Sequence, residues 1–217
     1  FLFLENVANF VKHDGGKTLQ TILNALNSID YDVYYDVLNA SLFGVPQSRK
    51  RAYFLCIRKD LNFKTYAFPT PTLENISLKN IILEDKYVKD LIIERKDVFF
   101  DKNIALMNNY ENNHLKPIRI GYVNKGGQGE RIYSEYGHAV TLSAYGGGVG
   151  AKTGLYYING AVRKLHPEEC KRVMTFPENF IVHERVNQAY KQFGNSVVVK
   201  MIKIIFEKLL KDNNLAR

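Results

Sequence analysis

The chain has 217 residues, 46% of them hydrophobic, which is enough to bury a core and too apolar for a disordered tail. Lysine plus arginine number 30 against 22 aspartates plus glutamates, and the resulting charge of +8 favours anionic partners such as nucleic acid. Two cysteines, Cys56 and Cys170, exclude a disulfide framework and a cysteine zinc site and fit a reducing cytoplasm, while no apolar run reaches the roughly 20 residues of a membrane span.

In chain order, Phe1 to Leu4 reads as an apolar strand followed by polar Glu5 and Asn6. Leu19, Ile22, Leu23 and Leu26 then repeat with helical spacing over Lys17 to Ser28, so a strand leads into a helix, as in an open α/β sheet. Tyr31 to Leu38 and Ala52 to Ile57 are rich in aromatic and β-branched residues and predict two further strands. Between them the loop "NASLFGVPQSRKR" is broken by Gly44 and Pro46. After Pro69 and Pro71 a charged, weakly periodic stretch runs to about Lys116.

From Ile118 to Ile158 the pattern changes to short β-prone pieces, "RIGYV", "RIYS", "AVTLSAY" and "LYYI", separated by glycine-rich turns. His166 and Pro167 open a helix whose first turn carries Glu168 and Glu169, which complement its dipole. Val198, Ile202, Ile205 and Leu209 mark an amphipathic closing helix just after "FGNS".

The stretch "GGGVGAKT", Gly146 to Thr153, comes within one residue of a phosphate loop, with Ala151 in place of the second glycine. Such a loop needs a helix at its exit, and here "GLYYING" predicts a strand and a turn. A second glycine-rich loop, "NKGGQGERIY", lies just upstream. Together the loops offer Gln128, Arg131, Thr141, Ser143, Tyr145 and Lys152, side chains able to reach base edges and phosphates where glycines admit a close backbone. A flexible hairpin with polar tips is the plainer alternative.

Four motifs occur in an order that resembles the C-terminal part of a DNA (cytosine-5) methyltransferase: "ENV" at 5 to 7, "PQSRKR" at 46 to 51, "RKLHPEECKRVMTFP" at 163 to 177 and "AYKQFGNSV" at 189 to 197. The pieces "GGQGERIYS", "TLSAYGGG" and "KLHPEEC" are most similar to HhaI-type enzymes, which implies the duplex site GCGC and a bacterial restriction-modification setting in the nucleoid-associated cytoplasm. The resemblance implies an α/β fold: part of a class I methyltransferase (Rossmann-like) sheet plus a small β-rich target-recognition domain. Residues 1–79 and 195–217 would belong to the catalytic domain, 80–166 to the DNA-reading domain, and 167–194 to connecting helices.

The same resemblance implies roles. Cytosine becomes nucleophilic at C5 only when a thiolate adds to C6, and stacking blocks both ring faces inside a duplex, so the base must be flipped out. Glu5 would hold N3 and the exocyclic amine, Arg51 would donate to O2, Arg49 would support the site or a phosphate, and Asn6 would orient the loop. Strand alternation places Arg49 and Arg51 on one side. Asn195, Ser196 and Val197, at the start of the final helix, would meet the methionyl end of S-adenosylmethionine. Arg131 and the loop from Thr141 to Gly148, with Gly146 and Gly147, would read the major groove, and Gln128 would fill the space left by the base. Lys125, Lys152 and Arg163 would contact phosphates.

Two hallmarks of the family are not found in the sequence, the cofactor-binding "F-x-G-x-G" and the "P-C-Q" nucleophile segment. Cys56 reads as a strand residue and Cys170 as a helix residue, so the nucleophile is expected upstream of Phe1, on a segment or subunit that partners this chain, and the chain alone is expected not to methylate. Most of the cofactor site would lie there too. A DNA-binding module without catalysis and a nucleotide-binding protein are the competing readings.

Overall fold

A computed structural model describes residues 1–61, 63–101 and 115–215, so part of the charged stretch before Lys116 lies outside the described residues. The strands are β1 (Leu2–Val7), β2 (Tyr31–Asn39), β3 (Lys50–Arg58), β4 (Val98–Phe100), β5 (Arg119–Val123), β6 (Arg131–Ser134), β7 (Leu155–Ile158) and β8 (Ala161–Arg163). The helices are α1 (Lys17–Ser28), α2 (Pro167–Val173), α3 (Val186–Asn195) and α4 (Val199–Asp212). The chain divides into two compact units: Phe1–Asn39, Lys50–Pro71 and Met201–Arg217 form the first, Ala40–Arg49 and Thr72–Lys200 the second.

In the first unit the strand order is β1-β3-β2 with antiparallel pairing throughout. The central strand β3 is buried on both faces from Ala52 to Ile57, which its run of apolar residues foretells. Ala52, Phe54 and Cys56 meet Leu19 and Leu26 of α1, the stripe set by its helical spacing. Each leucine or phenylalanine side chain removed from water here contributes about 1.5–3 kcal/mol. On the opposite face Phe3 stacks on Tyr53 at 6.0 Å and meets Phe206 of α4 at 5.2 Å.

In the second unit the order is β4-β5-β6-β7-β8, and β6 with β7 is its parallel pair. Parallel neighbours cannot be joined by a tight hairpin, so residues 135–154 must cross over, and this crossover carries the glycine loop. Ile120, Val123, Ile132, Leu155 and Val162 form the core of the sheet. The β-prone "AVTLSAY" forms no strand. Ala139 makes a single parallel bridge to Gln47, and of the backbone groups that follow, Leu142 is held by Gln47 and Arg49, whereas the Val140 N–H donates to Tyr156 Oη and the Ser143 N–H to the Lys152 carbonyl. Strands β4 and β8 are additions to the expected set. The exit from the glycine loop is β7, not a helix, so a phosphate-loop geometry is not formed.

Helix α2 starts as its sequence predicts. His166 caps it, Pro167 is its first residue, and the Glu169 carboxylate returns to the His166 N–H at 2.7 Å. Glu169 also receives both arms of Arg163, at 2.7 and 2.8 Å, and the Leu83 N–H at 2.8 Å. Arg163 is thus buried in a two-pronged ion pair instead of reaching a phosphate, because Glu169 is fixed beside it by the cap. The segment Asn195–Val197 does not begin the last helix: Asn195 ends α3, Ser196 caps it, and α4 begins at Val199.

Removing one partner of a fully buried ion pair strands the other charge. Glu169→Gln is expected to lower unfolding free energy by about 3–5 kcal/mol in urea denaturation; an unchanged midpoint would show that the pair is dispensable.

Candidate functional site

Glu5 lies within the C-terminal half of β1, followed in the strand by Asn6 and Val7, so the strand runs on through the polar residues that the sequence placed after it. In the register of β1 with β3, Val7 faces Arg51 and Glu5 faces Tyr53, so Glu5 and Arg51 are diagonal neighbours on one face. Arg51 Nε lies 3.0 Å from Glu5 Oε1, with the two side chains 14% and 20% exposed. Glu5 Oε1 is buried and accepts no hydrogen bond among the described residues, so the contact with Arg51 is an ion pair without hydrogen-bond alignment. Arg51 Nη1 donates to the Lys50 carbonyl at 2.9 Å. Asn6 is turned to local work, its Oδ1 accepting the Val7 N–H at 2.8 Å.

Arg49 does not join this pair. Strand β3 begins at Lys50, so the alternation expected to align Arg49 with Arg51 does not extend to it. Arg49 is 3% exposed, and its guanidinium donates to the carbonyls of Leu142, Gly194 and Ser196 at 3.1, 3.1 and 2.7 Å. It acts as a clamp inside the second unit. The rest of "PQSR" is engaged there as well: Ala139 N–H donates to the Pro46 carbonyl, Ser48 N–H to the Ala139 carbonyl, Thr141 Oγ1 to the Ser48 carbonyl and Leu142 N–H to Gln47 Oε1. Gly194 completes the junction, because a Cβ there would stand 2.1 Å from the Ala144 backbone nitrogen.

Beyond this junction the crossover opens into a cleft of about 590 Å³ lined by Gln128, Arg131, Thr141, Ser143, Tyr145, Gly146, Gly147 and Lys152. Of the expected reading loop, Leu142, Ala144 and Gly148 are outside the lining: the first two are buried, and Gly148 packs on the second glycine loop, where a Cβ would lie 3.1 Å from the Gly129 carbonyl. The loops are tied together by the Gly150 N–H donating to the Gly129 carbonyl at 2.7 Å. Gly129 has φ +85°, and a Cβ on it would come within 2.3 Å of the Gly147 oxygen, so glycine is required at this crossing. Tyr145 is 73% exposed, and Lys152 donates to Asn187 Oδ1 at 2.9 Å. Lys125 and Gln128 are exposed on the neighbouring loop.

Asn195 is exposed at the end of α3, while the carbonyls on either side of it are held by Arg49. Beside it a cleft of about 600 Å³ is lined by Phe176, Phe180, Ile181, Phe193 and Ser196. Burial pushes the Cys56 and Cys170 thiols above their usual range, so neither offers a thiolate. Burial also pulls His138, near the start of the crossover, down to about 4.

Sequence reasoning missed Gln47, which is wholly buried, and the cleft residues Tyr133 and Val140. It missed Gly194 too, whose demand for space comes from a segment fifty residues away. No cluster of metal-ligating side chains and no membrane-length apolar helix is found among the described residues.

The profile of the C-5 cytosine-specific DNA methylases matches residues 1–211. The chain is 50% identical over 206 residues to the type II methyltransferase M.HhaI of Haemophilus parahaemolyticus, covering 94% of this chain and 61% of that protein. It is 36% identical over 216 residues to M1.ScrFI of Lactococcus lactis subsp. cremoris, covering 96% of this chain and 51% of the relative. The chain therefore spans between half and two thirds of these relatives. Among solved structures, a Dnmt2 methyltransferase of S. pombe superposes with a TM-score of 0.65 at 17% identity, over 98% of this chain and 66% of the other. The methyltransferase EhMeth of Entamoeba histolytica gives 0.64 at 19%, over 97% and 62%. These structures share the fold, and the expected mixed α/β class holds.

Because both thiols are buried and shifted upward, an alkylating reagent at pH 8 is expected to modify neither cysteine in the folded protein and both in urea. Rapid labelling of native Cys56 or Cys170, followed by mass spectrometry, would instead identify an available nucleophile.

Proposed function

The chain belongs to the C-5 cytosine-specific DNA methylase family, and on that premise we propose that it forms the base-gripping and DNA-reading part of a DNA (cytosine-5-)-methyltransferase of a restriction-modification system. The observation that carries this reading is the 3.0 Å approach of Arg51 to Glu5 across the pairing of β1 with β3. An acid and a guanidinium on one strand face complement the Watson–Crick edge of a flipped cytosine. The Glu5 carboxyl holds the N3 proton and accepts from the exocyclic amine, and Arg51 donates to O2. Electron density that enters the ring when a thiolate adds at C6 is then met at both positions, which favours attack from C5.

S-adenosylmethionine supplies the methyl group when bound. Asn195, Ser196 and Val197 would hold its methionyl end, with the backbone of that segment fixed from behind by Arg49. The thiolate comes from a segment or subunit other than these 217 residues, a reading supported by the burial of Cys56 and Cys170. Alone, the chain binds DNA without transferring a methyl group. Residues 1–79 and 195–217 serve catalysis, 80–166 reading, and 167–194 the link between them.

For reading, Arg131 and the loop from Thr141 to Gly148 meet base edges in the major groove, and Gln128 enters the gap left by the flipped base. Lys125 and Lys152 contact phosphates. GCGC is the target proposed, from the 50% identity to M.HhaI.

In an enzyme reconstituted with its thiolate-bearing part, Glu5→Gln and Arg51→Met are expected to slow methyl transfer from labelled S-adenosylmethionine by about 10²–10⁴. Affinity for a GCGC duplex should stay within a few-fold. Transfer at the unaltered rate in either variant would remove that side chain from the mechanism.

A further inference from the structure

A second cleft, of about 490 Å³, adjoins the glycine-lined one and shares Tyr145, Gly146 and Lys152 with it. Its far wall is the start of α3, where Arg185, Asn187 and Lys191 line it. Neither cleft has a carboxylate in its lining, and α3 contains no acidic residue.

The cations of this wall are held by neutral partners. Lys152 donates to the Asn187 amide at 2.9 Å, and the Lys191 ammonium stands 5.4 Å from the centre of the Tyr145 ring. Arg185 is exposed and makes no ion pair among the described residues. A cation resting on an amide or an aromatic face has no opposite charge beside it to offset its field, whereas one paired with a carboxylate does. Three uncompensated cations in one groove therefore call for a polyanion, and the shared residues make the groove a continuation of the surface proposed to read bases.

We propose that Arg185 and Lys191 on α3 bind the phosphate backbone of duplex DNA, extending the reading cleft along the strand that flanks the recognition site. This inference rests on the DNA-reading role proposed above. Backbone contacts of this kind position the protein on DNA without specifying sequence. Arg185 and Lys191 would thus set the register in which the loops from Gln128 to Arg131 and from Thr141 to Gly148 meet their bases.

The test is equilibrium binding of the protein to a labelled GCGC duplex and to an unrelated duplex, at several salt concentrations, for the wild type, Arg185→Gln and Lys191→Gln. Each phosphate contact removed should lower the slope of log K against log salt by about 0.9, weaken both duplexes alike, and leave their ratio unchanged. Wild-type slopes and affinities in both variants would overturn the phosphate contacts and leave the reading role standing. Loss confined to the GCGC duplex would overturn them in favour of base readout. Failure of the wild type to bind either duplex would overturn the reading role and, with it, this inference.

Discussion

Arg49 is the organising contact of the second unit. Its buried guanidinium joins three carbonyls from two stretches far apart in sequence, Leu142 on the crossover and Gly194 with Ser196 at the end of α3. Taking a cation out of water is costly unless its donors are satisfied, so the clamp holds only in the geometry that presents those acceptors. The crossover exists because β6 and β7 are parallel, and a parallel pair requires a long connection. Without a fixed base such a connection would be a loose surface loop. Pro46, Gln47 and Ser48 supply that base, and Gly194 lets α3 approach without a side chain in the way.

The motif "PQSRKR" thus serves two purposes within six residues. Up to Arg49 it belongs to the unit that carries the glycine cleft, and from Lys50 it becomes the central strand of the other unit. Arg51, two residues on, meets Glu5 across β1 and β3. One short stretch of chain therefore links the segment that shapes the proposed reading surface to the guanidinium proposed to hold the target base.

Elements set by local pattern were legible in the sequence. The spacing of Leu19, Ile22, Leu23 and Leu26 gives α1 its observed limits, and His166, Pro167 and Glu169 announce the start of α2. What the sequence hid depends on distant partners. "AVTLSAY" has strand propensity, yet Pro46–Arg49, Tyr156 and Lys152 divide its backbone groups and leave one bridge instead of a ladder. Arg163 reads as a surface cation until Glu169 is placed against it. Asn195 and Ser196 read as a helix start because a cap and a terminus share the same residue types, and their helix lies on the N-terminal side. The Glu5 and Arg51 pairing followed from the family resemblance, since spacing alone gave neither the register of β1 with β3 nor the diagonal contact.

The central claim is that the Glu5 carboxyl grips the edge of a flipped pyrimidine beside Arg51. It is tested most directly by a double-mutant cycle in which Glu5→Gln is combined with removal of the exocyclic amine from the target base of a GCGC duplex. If the two groups touch, the changes in the free-energy barrier to methyl transfer, measured in the reconstituted enzyme, are non-additive by at least about 1 kcal/mol. Strict additivity, with each change costing the same in the presence or absence of the other, would contradict the account.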